Sequence, residues 1–146
     1  MTSFVLDTYC GGYCGACPQY IATKEGKAEE LGMEPCQGCK SDVLAPSWCA
    51  TCPLKSCAQG RGIEFCFECP EYPCSDLKDF KNLPECPYHQ EIYDSMAIIA
   101  ERGKDAWLLD MRKRWSCPGC GREATWWDLS CSGCGAALRG YVKPTA

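Results

Sequence analysis

Sixteen cysteines stand in this 146-residue chain, and twelve of them form six C-x-x-C pairs. The pairs are Cys14/Cys17, Cys36/Cys39, Cys49/Cys52, Cys66/Cys69, Cys117/Cys120 and Cys131/Cys134, with Cys10, Cys57, Cys74 and Cys86 standing alone. A disulfide inside C-x-x-C closes so small a loop that it removes little entropy from the unfolded chain. Two thiolates two residues apart instead reach one tetrahedral ion from a single tight turn. Metal ligation is therefore the expected chemistry, ahead of a disulfide scaffold or a set of redox dithiols. All sixteen are candidate ligands, enough for three to four zinc ions.

The most specific pattern lies near the carboxyl end. CPGCG at 117–121 and CSGCG at 131–135 are two knuckles separated by ten residues. Gly121 and Gly135 allow the positive φ that turns backbone amides toward the sulfurs. Two such knuckles bring four thiolates to one metal, as in a zinc ribbon. A closed four-sulfur site is structural, since it leaves no open position for catalysis.

The other twelve cysteines group less simply. Sequence order suggests Cys36, Cys39, Cys49 and Cys52 as one site, and Cys57, Cys66, Cys69 and Cys74 as another. Cys10, Cys14 and Cys17 then need a remote fourth ligand, for which CPYH at 86–89 offers Cys86 or His89. That C-x3-C-x2-C triplet also suits an iron–sulfur cluster. The same triplet opens radical S-adenosylmethionine enzymes, but the barrel they need is not foreshadowed in the cysteine turns that follow. Residues 49–57, CATCPLKSC, and 66–74, CFECPEYPC, repeat C-x-x-C-P-x-x-x-C, so one metal turn is used several times.

Little else in the chain suggests catalysis. His89 is the single histidine, and no phosphate-cradling glycine loop is present. The expectation is a binding or scaffold module rather than an enzyme, acting on a protein partner. Nucleic acid is a further option through Arg112, Lys113, Arg114, Arg122, Arg139 and Lys143 with Trp115, Trp126 and Trp127. Burial of the tryptophans in a module with no other core is the preferred reading of them. The formal net charge of −4 weighs against non-specific nucleic-acid binding by the whole chain.

Composition explains why metal is needed. Hydrophobic residues make up 46% with the cysteines included, and roughly 35% without them, thin for a core of this size. Each zinc in a small site supplies an apparent contribution of about 10–16 kcal/mol toward folding. No apolar run approaches the ~18 residues of a membrane span. The first residues, MTSFVLDTYC, lack a basic, apolar and cleavable leader, which makes the cytoplasm, where thiols stay reduced, the expected compartment.

Charge and cysteines divide the chain similarly. Residues 1–103 carry 8 basic and 15 acidic side chains, whereas 104–146 carry 7 and 4. The expected organisation is a cysteine-rich domain at 1–87, a helical connector at 88–114 and a zinc ribbon at 115–146. Pro18 suits the start of a helix over 18–32 with Tyr20, Ile21, Ala28 and Leu31 inward and Gly32 as its stop, although Gly26 weakens it. Ser75 is the expected N-cap of a helix running to Pro84. Ile92, Met96, Ile99 and Ala100, then Trp107, Leu108 and Met111 after Gly103, read as a core-facing helical stripe. The fold class expected is a small metal-stabilised α+β protein with short helices and hairpins.

The order of motifs CGGYCGACPQYIAT, CQGCK, CATCPLKSCAQGRGIEFCFECPEYPC and DAWLLDMRKRWSCPGCG resembles a family of small bacterial and archaeal cysteine-rich proteins of unknown function, regarded as metal-binding. Eleven cysteines, from Cys10 through Cys74, match its pattern, and Cys86 does not. The resemblance implies metal binding without implying an activity or a fold.

Overall fold

A computed structural model describes residues 4–43 and 51–144. Among them five α-helices follow one another: α1 (Pro18–Lys24), α2 (Pro53–Arg61), α3 (Ser75–Lys81), α4 (Ile92–Arg102) and α5 (Lys104–Arg114). Among the described residues, the 3₁₀ turn Cys14–Ala16 precedes α1, Cys66–Glu68 lies between α2 and α3, and Pro87–Glu91 lies between α3 and α4. Among the described residues β-structure is limited to two isolated antiparallel bridges, Ser116–Glu123 and Ser130–Ala137. The α+β expectation reaches no further than these bridges. No helix among the described residues is long and apolar enough to cross a membrane.

The cysteine turns start the helices. Cys17 and Cys52 are the N-caps of α1 and α2, each followed by a proline at the first helical position. Proline costs nothing there, because the first amides of a helix lack intrahelical partners. Cys74 likewise caps α3. The expected cap, Ser75, is thus the first helical residue instead.

Helix α1 is shorter than its sequence suggests. It ends at Lys24, and Gly26 then takes φ +72, a conformation that does not continue a helix. Tyr20, Ile21 and Ala28 are buried as expected, but Leu31, beyond the break, is 56% exposed. Helices α4 and α5 are separated by Gly103 at φ +93.

Two apolar clusters fill the interior. Phe65, Met96, Ile99 and Trp107 form one. Leu54, Leu77 and Ile92 form the other, joining α2, α3 and α4. The stripe on α4 and α5 is therefore core, with Trp107 fully buried, while Ala100 lies exposed.

Candidate metal centre

The carboxyl-terminal knuckles have matching geometry. In each, the first cysteine amide donates across the turn, Cys117 to Arg122 and Cys131 to Ala136, both at 2.8 Å. The closing glycine amide returns to the first cysteine carbonyl, Gly121 to Cys117 at 2.9 Å and Gly135 to Cys131 at 2.8 Å. Those glycines hold φ +79 and +78, the left-handed conformation expected of them. The amides of Gly119 and Gly133 point at the sulfurs of Cys117 and Cys131, each at 3.3 Å.

The four sulfurs of Cys117, Cys120, Cys131 and Cys134 lie within 4.8 Å of one another. Across the knuckles, Cys117 approaches Cys134 at 3.4 Å and Cys120 approaches Cys131 at 3.6 Å. A tetrahedral ion with Zn–S bonds of about 2.3 Å needs sulfurs ~3.8 Å apart. Amide donation from Cys134 and Gly133 pulls the Cys131 thiol down to about 6, and the amide of Cys120 similarly lowers Cys117. The site thus fits an ion by donor chemistry and by spacing, and the module is zinc-ribbon-like.

The remaining cysteines are organised by one extended segment. The amide of Val5 donates to the carbonyl of Gln37 at 2.8 Å. The carbonyl of Leu6 accepts from Cys14 at 3.3 Å, and that of Tyr9 accepts from Cys66 at 2.7 Å. Three cysteine turns thereby hang on residues 5–9. Thr23 adds a tie: its Oγ1 donates to Gln19 at 2.7 Å and accepts from the Cys36 amide at 2.9 Å.

Cys10, Cys14, Cys17, Cys36, Cys39 and Cys52 line one cavity of about 340 Å³. Tyr88, His89, Trp115, Trp126 and Trp127 line it too. Cys57, Cys66, Cys69 and Cys74 border a separate apolar cleft of about 20 Å³ beside Leu54 and Leu77. Cys49 lies outside the described residues. Among the described residues no other three thiol, imidazole or carboxylate ligand atoms gather as closely as those of the ribbon.

Burial pushes Cys14 well above the usual thiol range, and the neighbouring sulfurs of Cys39, Cys17 and Cys36 push it further. Cys17 rises to about 11 and Cys39 to about 12, each first through burial. Desolvation penalises the thiolate, so these thiols stay protonated until a cation takes the place of the proton.

Cys86 and His89 stand differently. Cys86 is buried and its sulfur accepts from the Tyr88 hydroxyl at 3.4 Å. His89 is also buried, stacks on Phe80 with centroids 3.9 Å apart, and donates from Nδ1 to the Phe80 carbonyl at 2.7 Å.

Lys40, Asp7 and Lys55, which carry no motif in the sequence, complete the surroundings. Lys40, beside Cys39, pairs with buried Asp7 at 2.7 Å and lies over the rings of Phe65 and Tyr9. Lys55 donates to the Cys39 carbonyl. In the ribbon, Trp115 is buried, Trp126 stacks on Tyr88, and Lys143 lies over Trp127.

Residues 6–79 match a family described as "Protein of unknown function (DUF3795)". The match spans 74 of the 146 residues, so the chain belongs to that family. No curated protein and no solved structure matches the chain.

Proposed function

We propose that this member of a family without an assigned activity is a multi-site metal protein, built around a structural zinc ribbon and acting as an interaction module. The gathering of four sulfurs within 4.8 Å, with glycine amides aimed at two of them, carries this reading. Zinc is preferred because four thiolates at tetrahedral spacing suit a d¹⁰ ion with no geometric demand of its own. Once bound, the ion would supply cross-linking rather than chemistry. With the ion in place the two isolated bridges become the closed bases of short hairpins, which gives the α+β class its β part.

The partner proposed is a protein, met in the cytoplasm where the thiols stay reduced. The ribbon's tryptophans favour this over nucleic acid, because base stacking needs rings presented outward. Here Trp115 is buried and Trp126 faces Tyr88.

The deciding experiment counts zinc in the full chain and in the Cys120→Ser and Cys134→Ser variants. Each variant should lose one equivalent, and cobalt substituted into the native protein should show the absorption of a tetrahedral tetrathiolate. Zinc content unchanged by both substitutions would overturn the reading.

A further inference from the structure

The ribbon accounts for four cysteines and leaves unexplained a cavity of about 340 Å³ lined by six others. The cavity is a cleft that opens to solvent, and its volume lies in the range of ligand sites. A cavity of this size walled by thiols and aromatic rings has the character of a cofactor site rather than a packing defect.

Four of the six cysteines come from two C-x-x-C turns, Cys14/Cys17 and Cys36/Cys39. Sequence order assigns these turns to different sites. The fold unites them, because Val5 and Leu6 hydrogen-bond to Gln37 and Cys14, and Thr23 on α1 holds the Cys36 amide. Gly38 permits the approach: it sits at φ +114, and a Cβ there would lie 2.0 Å from the Val5 carbonyl oxygen.

Sulfur spacing separates this site from the ribbon. No three of these four sulfurs fall within 4.8 Å of one another, whereas all four ribbon sulfurs do. A single zinc needs the tighter arrangement. A four-iron cluster is likewise held by four cysteine thiolates but places iron and sulfide between them, so it does not need their sulfurs in mutual contact. The surroundings suit such a group as well. Trp115, Trp126 and Tyr88 supply an aromatic wall, and the Lys55 ammonium, donating to the Cys39 carbonyl, brings positive charge beside Cys39.

We infer that Cys14, Cys17, Cys36 and Cys39 hold an iron–sulfur cluster of the four-iron class in this cavity. The proposal does not rest on the identity of the ribbon metal. Each of the four thiols gives up its proton on ligation, and two ferrous ions, two ferric ions and four sulfides assemble into the oxidised cluster with no change of oxidation state.

The test uses the full chain, purified anaerobically and reconstituted with sulfide and equal amounts of ferrous and ferric iron. About four irons and four sulfides per chain are expected, with broad visible absorption. The Cys14→Ser/Cys36→Ser double variant should lose the sulfide and the colour. Cys120→Ser and Cys57→Ser/Cys74→Ser should keep both. Retained ribbon zinc and native circular dichroism show that the double variant is folded. Should it unfold, Cys17→Asp takes its place, and an altered electron paramagnetic resonance spectrum of the reduced cluster is expected. Any one of these outcomes overturns the proposal: a native chain that binds no sulfide; colour undiminished in a folded double variant or, where that variant unfolds, an unaltered Cys17→Asp spectrum; or a zinc equivalent beyond that of the ribbon, held by the native chain and missing from the folded double variant. The last of these leaves the ribbon reading intact.

Discussion

The ring of Tyr88 lies flat on that of Trp126, with centroids 3.8 Å apart and planes 9° from parallel. Tyr88 belongs to the 3₁₀ turn before α4 and Trp126 to the loop between the ribbon knuckles, so the stack joins two distant stretches of chain. Offset aromatic pairs contribute about 0.5–1.5 kcal/mol beyond their buried area. A double-mutant cycle of Tyr88→Ala and Trp126→Ala, followed by denaturant unfolding of metal-loaded protein, should return a coupling of that size. Additive effects would mean that the stack contributes no pairwise energy.

Gly38→Ala tests the approach of the Val5 segment to the Cys36/Cys39 turn. The new Cβ meets backbone oxygen at 2.0 Å, and φ +114 is unfavourable for any L side chain. Neither problem is relieved by a rotamer change, so a loss of about 2–4 kcal/mol is expected. Gly62→Ala, at a left-handed helix end with open space around the added carbon, should cost about 1 kcal/mol. Equal losses in the two variants would show that the close approach is not limiting.

Trp107 is fully buried among Phe65, Met96 and Ile99, and meets Tyr13 edge-on at 6.1 Å. Trp107→Ala should cost about 3–5 kcal/mol. Its Nε1 has no hydrogen-bond partner among the described residues. Trp107→Phe removes that polar group together with part of the ring, so its cost should fall clearly below that of alanine. Denaturation midpoints of the two variants give the comparison.

Burial lowers His89 below its ordinary 6.5, against the opposing pull of the Phe80 carbonyl and Glu85. The unfolded chain therefore takes up a proton at a higher pH than the folded one. This contribution to stability is complete above about 6.5, and it declines as pH falls from there through the folded value. The chain has one histidine, so a single imidazole resonance reports it. A nuclear magnetic resonance titration midpoint below 6.5 is expected, and one at or above 6.5 would contradict the burial argument.

The features legible in the sequence are local. The ribbon could be read because both knuckles carry their ligands and their positive-φ glycines within five residues. The α4 and α5 stripe was visible because Ile92, Met96, Ile99 and Trp107 recur at helical spacing around a glycine break. Helix α2 was missed although Pro53 after Cys52 repeats the arrangement of Pro18 after Cys17. Its weak amphipathicity hid it, with only Leu54 and Ala58 buried. The association of Cys14/Cys17 with Cys36/Cys39 was beyond sequence reading for another reason. It depends on the backbone groups of Val5 and Leu6 bonding to residues remote in sequence, which leaves no trace in residue type, and on one Thr23 hydroxyl that no motif marks.

The amide of Trp126 donates to the carbonyl of Ala16 at 3.1 Å, in the turn that carries Cys14 and Cys17. Synthesis delivers that turn long before it delivers Trp126. Docking of Trp126 and Trp127 then puts a wall on the cavity. One wall of the cavity is thus built by residues synthesised far later than the cysteines it covers, so the site is completed only when the two ends of the described chain meet.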